Sequence, residues 1–205
     1  MSDIGTQIQH FFRHRQRAAI ALVCAVLVVF VLGILIASGR YPVMVVNGTF
    51  ISSARFEKNY ASAAILHNNQ LKINAESPDT LEVLKRVTPA ELGANVLDTL
   101  VAAALVERGA KREVGSELSE LVQARIGELA SDPQLQRGVQ TLYGMGYADF
   151  RDEVLVPVAE HDILAGRLYQ RGQSYEQWLA GERKQASVYI FSSRFRWDGE
   201  KVVAQ

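Results

Sequence analysis

The sequence predicts a mostly α-helical protein: one N-terminal transmembrane helix, then a multi-helix domain with a small β-sheet made by its N- and C-terminal strands. Three observations carry this. The 20-residue run Ala18–Ala37, AAIALVCAVLVVFVLGILIA, contains no charge and no strongly polar side chain. The middle of the chain repeats helix-start signals ahead of apolar stripes at spacings of three and four. β-prone runs stand at Val43–Val46 and Thr49–Ile51, and again at Ser187–Phe191 and in the last residues.

At about 1.5 Å per residue, a helix over Ala18–Ala37 crosses a hydrocarbon core of roughly 30 Å. A helix is required there because lipid offers no partner to an unpaired backbone N–H or C=O. Arg13, Arg15 and Arg17 precede the run, with His10 and His14 beside them, while Ser38, Gly39 and Arg40 close its far end. That bias puts the N-terminus on the cytoplasmic side. Phe11 and Phe12 fall near the inner interface and Tyr41 near the outer one. The expected organisation is a cytoplasmic basic flank over 1–17, a transmembrane helix over 18–37, and an extracytoplasmic domain over 41–205. The protein would lie in the inner (cytoplasmic) membrane as a single-pass chain, with its C-terminal domain periplasmic or extracellular. A cleaved signal peptide ending at Ala37-Ser38-Gly39 is the competing reading, although such peptides have apolar regions of only about 7–15 residues. A buried core helix fits less well, because the run is apolar all round.

In the soluble part, Asn47-Gly48 between two β-prone runs signals a hairpin. Ser52 or Ser53 then caps a helix reaching about Asn69, with Phe56, Tyr60, Ala63 and Ala64 on one side. Asn68–Asp79 reads as a polar loop, and Glu82–Val87 as ambiguous between loop and short helix. Thr88-Pro89-Ala90-Glu91 is a capping box with proline at the first helical position. It leads into Leu92, Val96, Leu100, Val101, Ala104 and Leu105, a stripe for core burial that Gly109 or Gly115 ends. Ser116 opens another helix, and Asp132-Pro133 a further one through Leu142 and Tyr143. After Gly144-Met145-Gly146, a helix from about Ala148 should be kinked at Pro157, which lacks the donor and crowds the preceding turn. Ser174-Tyr175-Glu176-Gln177 caps a short helix carrying Trp178 and Leu179. A hairpin over Phe195–Trp197 and Lys201–Val203 closes the chain. Because a two-strand hairpin is marginal alone, Ser187–Phe191 is expected to join the sheet begun at Val43–Val46.

Composition removes several functions. The chain has 205 residues with 22 basic and 22 acidic side chains, and from Arg40 onward the balance is 19 against 21. So even a balance offers no footprint for nucleic acid. The lone cysteine, Cys24, sits in the apolar run, leaving no intrachain disulfide. The histidines His10, His14, His67 and His161 are scattered; no HExxH or CxxC spacing, phosphate loop or GxSxG elbow occurs. Glu160-His161-Asp162 are adjacent and so point in different directions from a helix. Asp149, Asp152 and Glu153 read as a solvated face or first-turn charges. No catalytic residue, cofactor or metal is expected. Tyr143, Met145, Tyr147 and Phe150 form the one aromatic- and Met-rich patch, either core packing or a peptide-binding surface.

Three segments, VNGTFISSARFEKNY, TPAELGANVLDTLVAAALVERGAKREVG and YGMGYADFRDEVLVPVAEHDIL, resemble in order the N-terminal chaperone domain of the SurA family, the SurA/PpiD/PrsA-like group. The resemblance covers about Val43 to Leu168, with the Trp178 helix and the Ser187–Phe191 strand fitting the domain's closing elements. It implies a SurA-N-like fold and chaperone-like binding of unfolded or exported polypeptides. Such proteins usually carry a parvulin isomerase domain of roughly a hundred residues before the closing helix, and only about Gln170–Gln173 stand in that place here. The implied function is a membrane-anchored, non-catalytic chaperone. A dedicated scaffold subunit of a cell-envelope complex and a degenerate peptidyl-prolyl isomerase are the alternatives.

Overall fold

The computed structural model describes Gly33, residues 41–129 and residues 133–205. The predicted span Ala18–Ala37 (Gly33 apart), the basic flank, Cys24 and the Asp132 cap lie outside the described residues. The chain begins its fold with β1 (Pro42–Val46) and β2 (Thr49–Ser52), paired antiparallel. Asn47 (φ 48°) and Gly48 (φ 87°) both take left-handed backbone, the type I′ geometry that matches strand twist. Asn47 also stitches the two ends of the domain together. Its amide donates to the Ser187 carbonyl at 2.9 Å, and its Oδ1 accepts from the Ser187 amide at 2.8 Å. β3 (Val188–Ile190) therefore joins β1 on its other side, with Met44 opposite Ile190 and Val46 opposite Val188. The end-to-end closure expected from sequence is the observed one. The final strands, β4 (Phe195–Trp197) and β5 (Val202–Ala204), pair with each other as a separate two-stranded sheet.

Between the strands, the chain is helical: α1 (Ser53–Ile73), α2 (Pro78–Lys85), α3 (Pro89–Val114), α4 (Leu118–Leu129), α5 (Pro133–Tyr143), α6 (Tyr147–Phe150), α7 (Val156–Gln170) and α8 (Tyr175–Gln185). Ser52 caps α1 by accepting from the Arg55 amide. That helix runs four residues beyond Asn69, and α2 starts at Pro78, so the expected loop Asn68–Asp79 shrinks to a turn. Proline and Asp79 in the first turn, with Lys85 in the last, suit α2 to the helix dipole. The Thr88–Glu91 box at the start of α3 is reciprocal, each side chain satisfying the other residue's amide. Ser174 caps α8 through the Gln177 amide.

α3 is the central element. Leu97 and Val101 are fully buried, and Leu105 nearly so, against Met44, Val46 and Ile51 of the sheet and Phe195 and Val202 of the C-terminal hairpin. Farther along, Val106 and Ala110 pack on Leu164, Leu168 and Trp178. Gly109 does not end the helix, as the sequence allowed; Gly115 (φ 61°) does. A Cβ at Gly109 would stand 2.5 Å from the Trp178 ring, so its lack of a side chain lets α8 approach α3. Asp98 then locks this layer. Arg183 of α8 reaches it with both Nη atoms at 2.8 and 3.0 Å, and the Val202 amide donates to the same carboxylate at 3.1 Å. A second core joins Val122, Ile126, Val139, Met145, Phe150 and Leu155 of α4 to α7.

Pro157 does not simply kink its helix. A π-helical turn, Arg151–Leu155, stands immediately before α7, with the Val156 amide reaching back to the Arg151 carbonyl. The wider turn makes room for a proline that has no donor and would press on the turn before it. Pro42–Gln205 forms one compact unit. Among the described residues, the stretch Pro89–Gly127 is long and apolar enough to cross a membrane by composition alone, but half of its most apolar window is buried within the domain. Those contacts make it the domain's core.

Candidate functional site

The main apolar opening is a groove of about 400 Å³ between α1, α3 and the π-turn–α7 junction. Ala63 and Leu66 of α1 form one wall, Leu92 and Val96 of α3 the second, and Val154 and Val158 the third. Amphipathic spacing sets the first two walls, since residues three and four apart share a helix face. Val158 is left 42% exposed. The third wall exists because the π-turn shifts the register of Val154 relative to α7.

Charge is confined to one rim. Glu153, on the π-turn, accepts from Arg55 Nε at 2.9 Å and Asn59 Nδ2 at 3.0 Å. Lys58 donates to Asp149 at 2.7 Å, and this bond, reinforced by the nearby carboxylates, raises the lysine above its ordinary value. Asp149, Asp152 and Glu153 are thus not only a solvated face: Asp149 ties α1 to α6 and Glu153 ties it to the π-turn. The arrangement offers largely apolar walls with a hydrogen-bonded charged edge on one side.

The four residues singled out in sequence divide. Tyr143 and Met145 line the groove, with Met145 only 6% exposed. Phe150 is buried in the second core, its ring 5.1 Å from that of Tyr143, and Tyr147 is half-buried away from the groove lining. The reason is Gly144. It takes φ 66°, and the sharp turn throws Met145 inward, so proximity in sequence does not become one surface. A Cβ there would meet Ile65 at 2.1 Å. Sequence reasoning missed Leu66, Val96 and Val158 as lining. Pro157 was the available signal, since a proline inside a helix marks irregular backbone.

His161 and Asp162 do touch, at 3.2 Å, though adjacent in sequence. Asp162 is also held by Arg125 at 2.9 Å. Burial would raise its carboxyl, but the Arg125 and His161 hydrogen bonds hold it below the ordinary range. The His161 ring packs edge-on to Tyr175 with centroids 4.4 Å apart. Among the described residues, no cluster of three or more His, Cys, Asp or Glu side chains is placed to hold a metal.

Glu160 is a different case. Burial, then repulsion from Glu107, pushes its carboxyl up to about 7 against an ordinary 4.5, with Arg55 opposing. The folded value is the raised one, so the penalty is absent below pH 4.5, grows as pH climbs to about 7, and is complete above it. Glu160→Gln is therefore expected to stabilise the domain by about 1–2 kcal/mol at pH 8, after discounting for partial exposure, and to change little at pH 4. Thermal melts of both proteins across that range check this.

A second recess, about 490 Å³, lies between α1, the start of α3 and the C-terminal hairpin. Glu57 and Arg194 stand on its rim, the latter 5.8 Å over the Phe195 ring.

A mostly helical domain, closed by strands from both ends and holding an apolar groove between its long helices, defines the class. The chain belongs to the SurA-like N-terminal domain family, which it matches over residues 9–140. The match takes in the apolar run and stops short of the third resembling segment, which starts at Tyr143. No curated protein and no solved structure matches the chain.

Proposed function

We propose that the protein is a membrane-anchored, non-catalytic chaperone that binds unfolded or exported polypeptides outside the cytoplasm. The organisation is the one read from sequence: basic flank 1–17, transmembrane helix 18–37 and extracytoplasmic domain 41–205. The observation that carries the reading is the α1–α3–α7 groove, whose lining is mostly apolar, with Asn59, Ser62, Asn95 and Thr99 among the aliphatic side chains and Glu153 as its one charged member. Apolar contact is non-directional, so such a groove tolerates many client sequences. Membership of the SurA-like family supports a chaperone role over a scaffold. Tyr143 and Met145 are the two patch residues that would touch a client; Tyr147 and Phe150 would support the wall behind them.

The absence of isomerase chemistry from this reading rests on the α7–α8 connection, only Arg171–Ser174, where no further domain fits. The full chain in lipid nanodiscs is expected to suppress light scattering by a denatured client and to leave proline-limited refolding at its uncatalysed rate. Acceleration of that refolding would establish an isomerase instead. Recovery of one stoichiometric partner, with no effect on client aggregation, would establish the scaffold role.

A further inference from the structure

The β2–β1–β3 sheet has two faces of the same character, which a solvated sheet does not. Met44, Val46, Ile51, Val188 and Ile190 point into the core. In a sheet with one face in water, the alternate positions should be polar. Here, register places Phe50, Val45 and Tyr189 side by side across the outer face, since Val45 pairs with both Phe50 and Tyr189. Phe191 follows Tyr189 by two residues and shares its side. Phe50 is 72% exposed, Tyr189 66% and Phe191 63%.

We propose that this outer face docks on the lipid surface of the membrane that holds the anchor, an inference that rests on the membrane-anchored reading above. Chain length is the first argument. From Ala37 at the end of the apolar run to Pro42, where β1 begins, the backbone can extend at most about 18 Å. With the apolar run in the bilayer, the sheet is the first folded element after it along the chain, on a tether no longer than that. Composition is the second: Phe and Tyr with Arg40 at the exit are the residue types that settle at the interface between hydrocarbon and water. Area is the third. Four such side chains offer roughly 400 Å², against about 800 Å² per partner in a stable dimer, so the face is small for a second copy and ample for a lipid contact.

The test uses the full chain in vesicles of phosphatidylcholine with phosphatidylglycerol. Cys24 is replaced (Cys24→Ala) and an environment-sensitive fluorophore is attached at Phe50→Cys, Tyr189→Cys or Glu76→Cys. Glu76 is the remote control, just beyond the 21-residue helix that leads away from β2, about 30 Å off. Labels at 50 and 189 are expected to be quenched by headgroup-region spin-labelled lipids about threefold more than the label at 76. Equal quenching at the three positions in chains that float with the vesicles overturns the docking and leaves the anchor intact. Chains that fail to float overturn the anchor and the docking with it. Concentration-dependent crosslinking through position 189, without quenching, assigns the face to a second copy and also overturns the proposal. A thermal melt of each labelled protein matching the parent secures the fold in every arm.

Discussion

A chain ending at Ala186 is expected to lose its cooperative thermal transition. The deletion removes β3, which supplies one flank of β1, and the β4–β5 hairpin, which covers α3 with Phe195 and Val202, both less than a tenth exposed. Burying those two side chains alone contributes about 4–5 kcal/mol. Asp98 would also lose the Val202 amide while keeping Arg183, and Asn47 would lose both hydrogen bonds to Ser187. Against a typical total of roughly 5–15 kcal/mol, the combined loss consumes most of the stability. Circular dichroism of the truncated chain should keep helical signal while its melt broadens or disappears. A sharp melt at the parent temperature would mean that the C-terminal strands are ornaments on a domain that closes without them.

The second large effect is expected at Leu97→Ala. Leu97 is fully buried at the point where α3 meets both sheets, so no rearrangement of an exposed neighbour can refill the space. Leu→Ala changes at such sites cost about 3–4 kcal/mol, the transfer term plus the cavity. For a unit of this size, that lowers the melting temperature by about 10 °C. Urea titration should move the midpoint without changing the slope. A slope change would point to a domain that no longer unfolds as one unit.

Much of this fold was legible because its local and global preferences agree. Asn47-Gly48 can only be a tight turn between those strands, and Thr88 with Glu91 announces α3 before any tertiary contact is known. The pairing of β1 with β3 followed from a single physical need, that a hairpin finds a third strand. What stayed hidden depends on contacts that are distant in sequence. Asn68–Asp79 looks like a loop because its residues are polar, yet α1 runs into it as far as Ile73, the next helix starts at Pro78, and only a turn is left between them. Gly109 reads as a helix end until Trp178, 69 positions later, is seen to need its missing side chain. The site was half legible for the same reason. Tyr143 and Met145 belong to the groove, but its walls are Leu66, Val96 and Val158, ordinary aliphatic positions whose exposure is decided by how far apart three helices stand. The outer aromatic face of the sheet was readable only from register, since Phe50 and Tyr189 become neighbours through Val45.

Binding of unfolded chains in the α1–α3–α7 groove is tested most directly by one comparison. The full chain and its Leu66→Asp/Val158→Asp variant, both in nanodiscs, are titrated against a denatured client while aggregation is followed by light scattering. Both substituted positions are partly or largely exposed, so the variant should keep its fold and melt within a few degrees of the parent. Two carboxylates in an apolar groove must lose hydration for a client to bind, at a cost of several kcal/mol, so protection should fall by about tenfold or more. A folded variant that protects the client as well as the parent does would contradict the assignment of this groove as the client site.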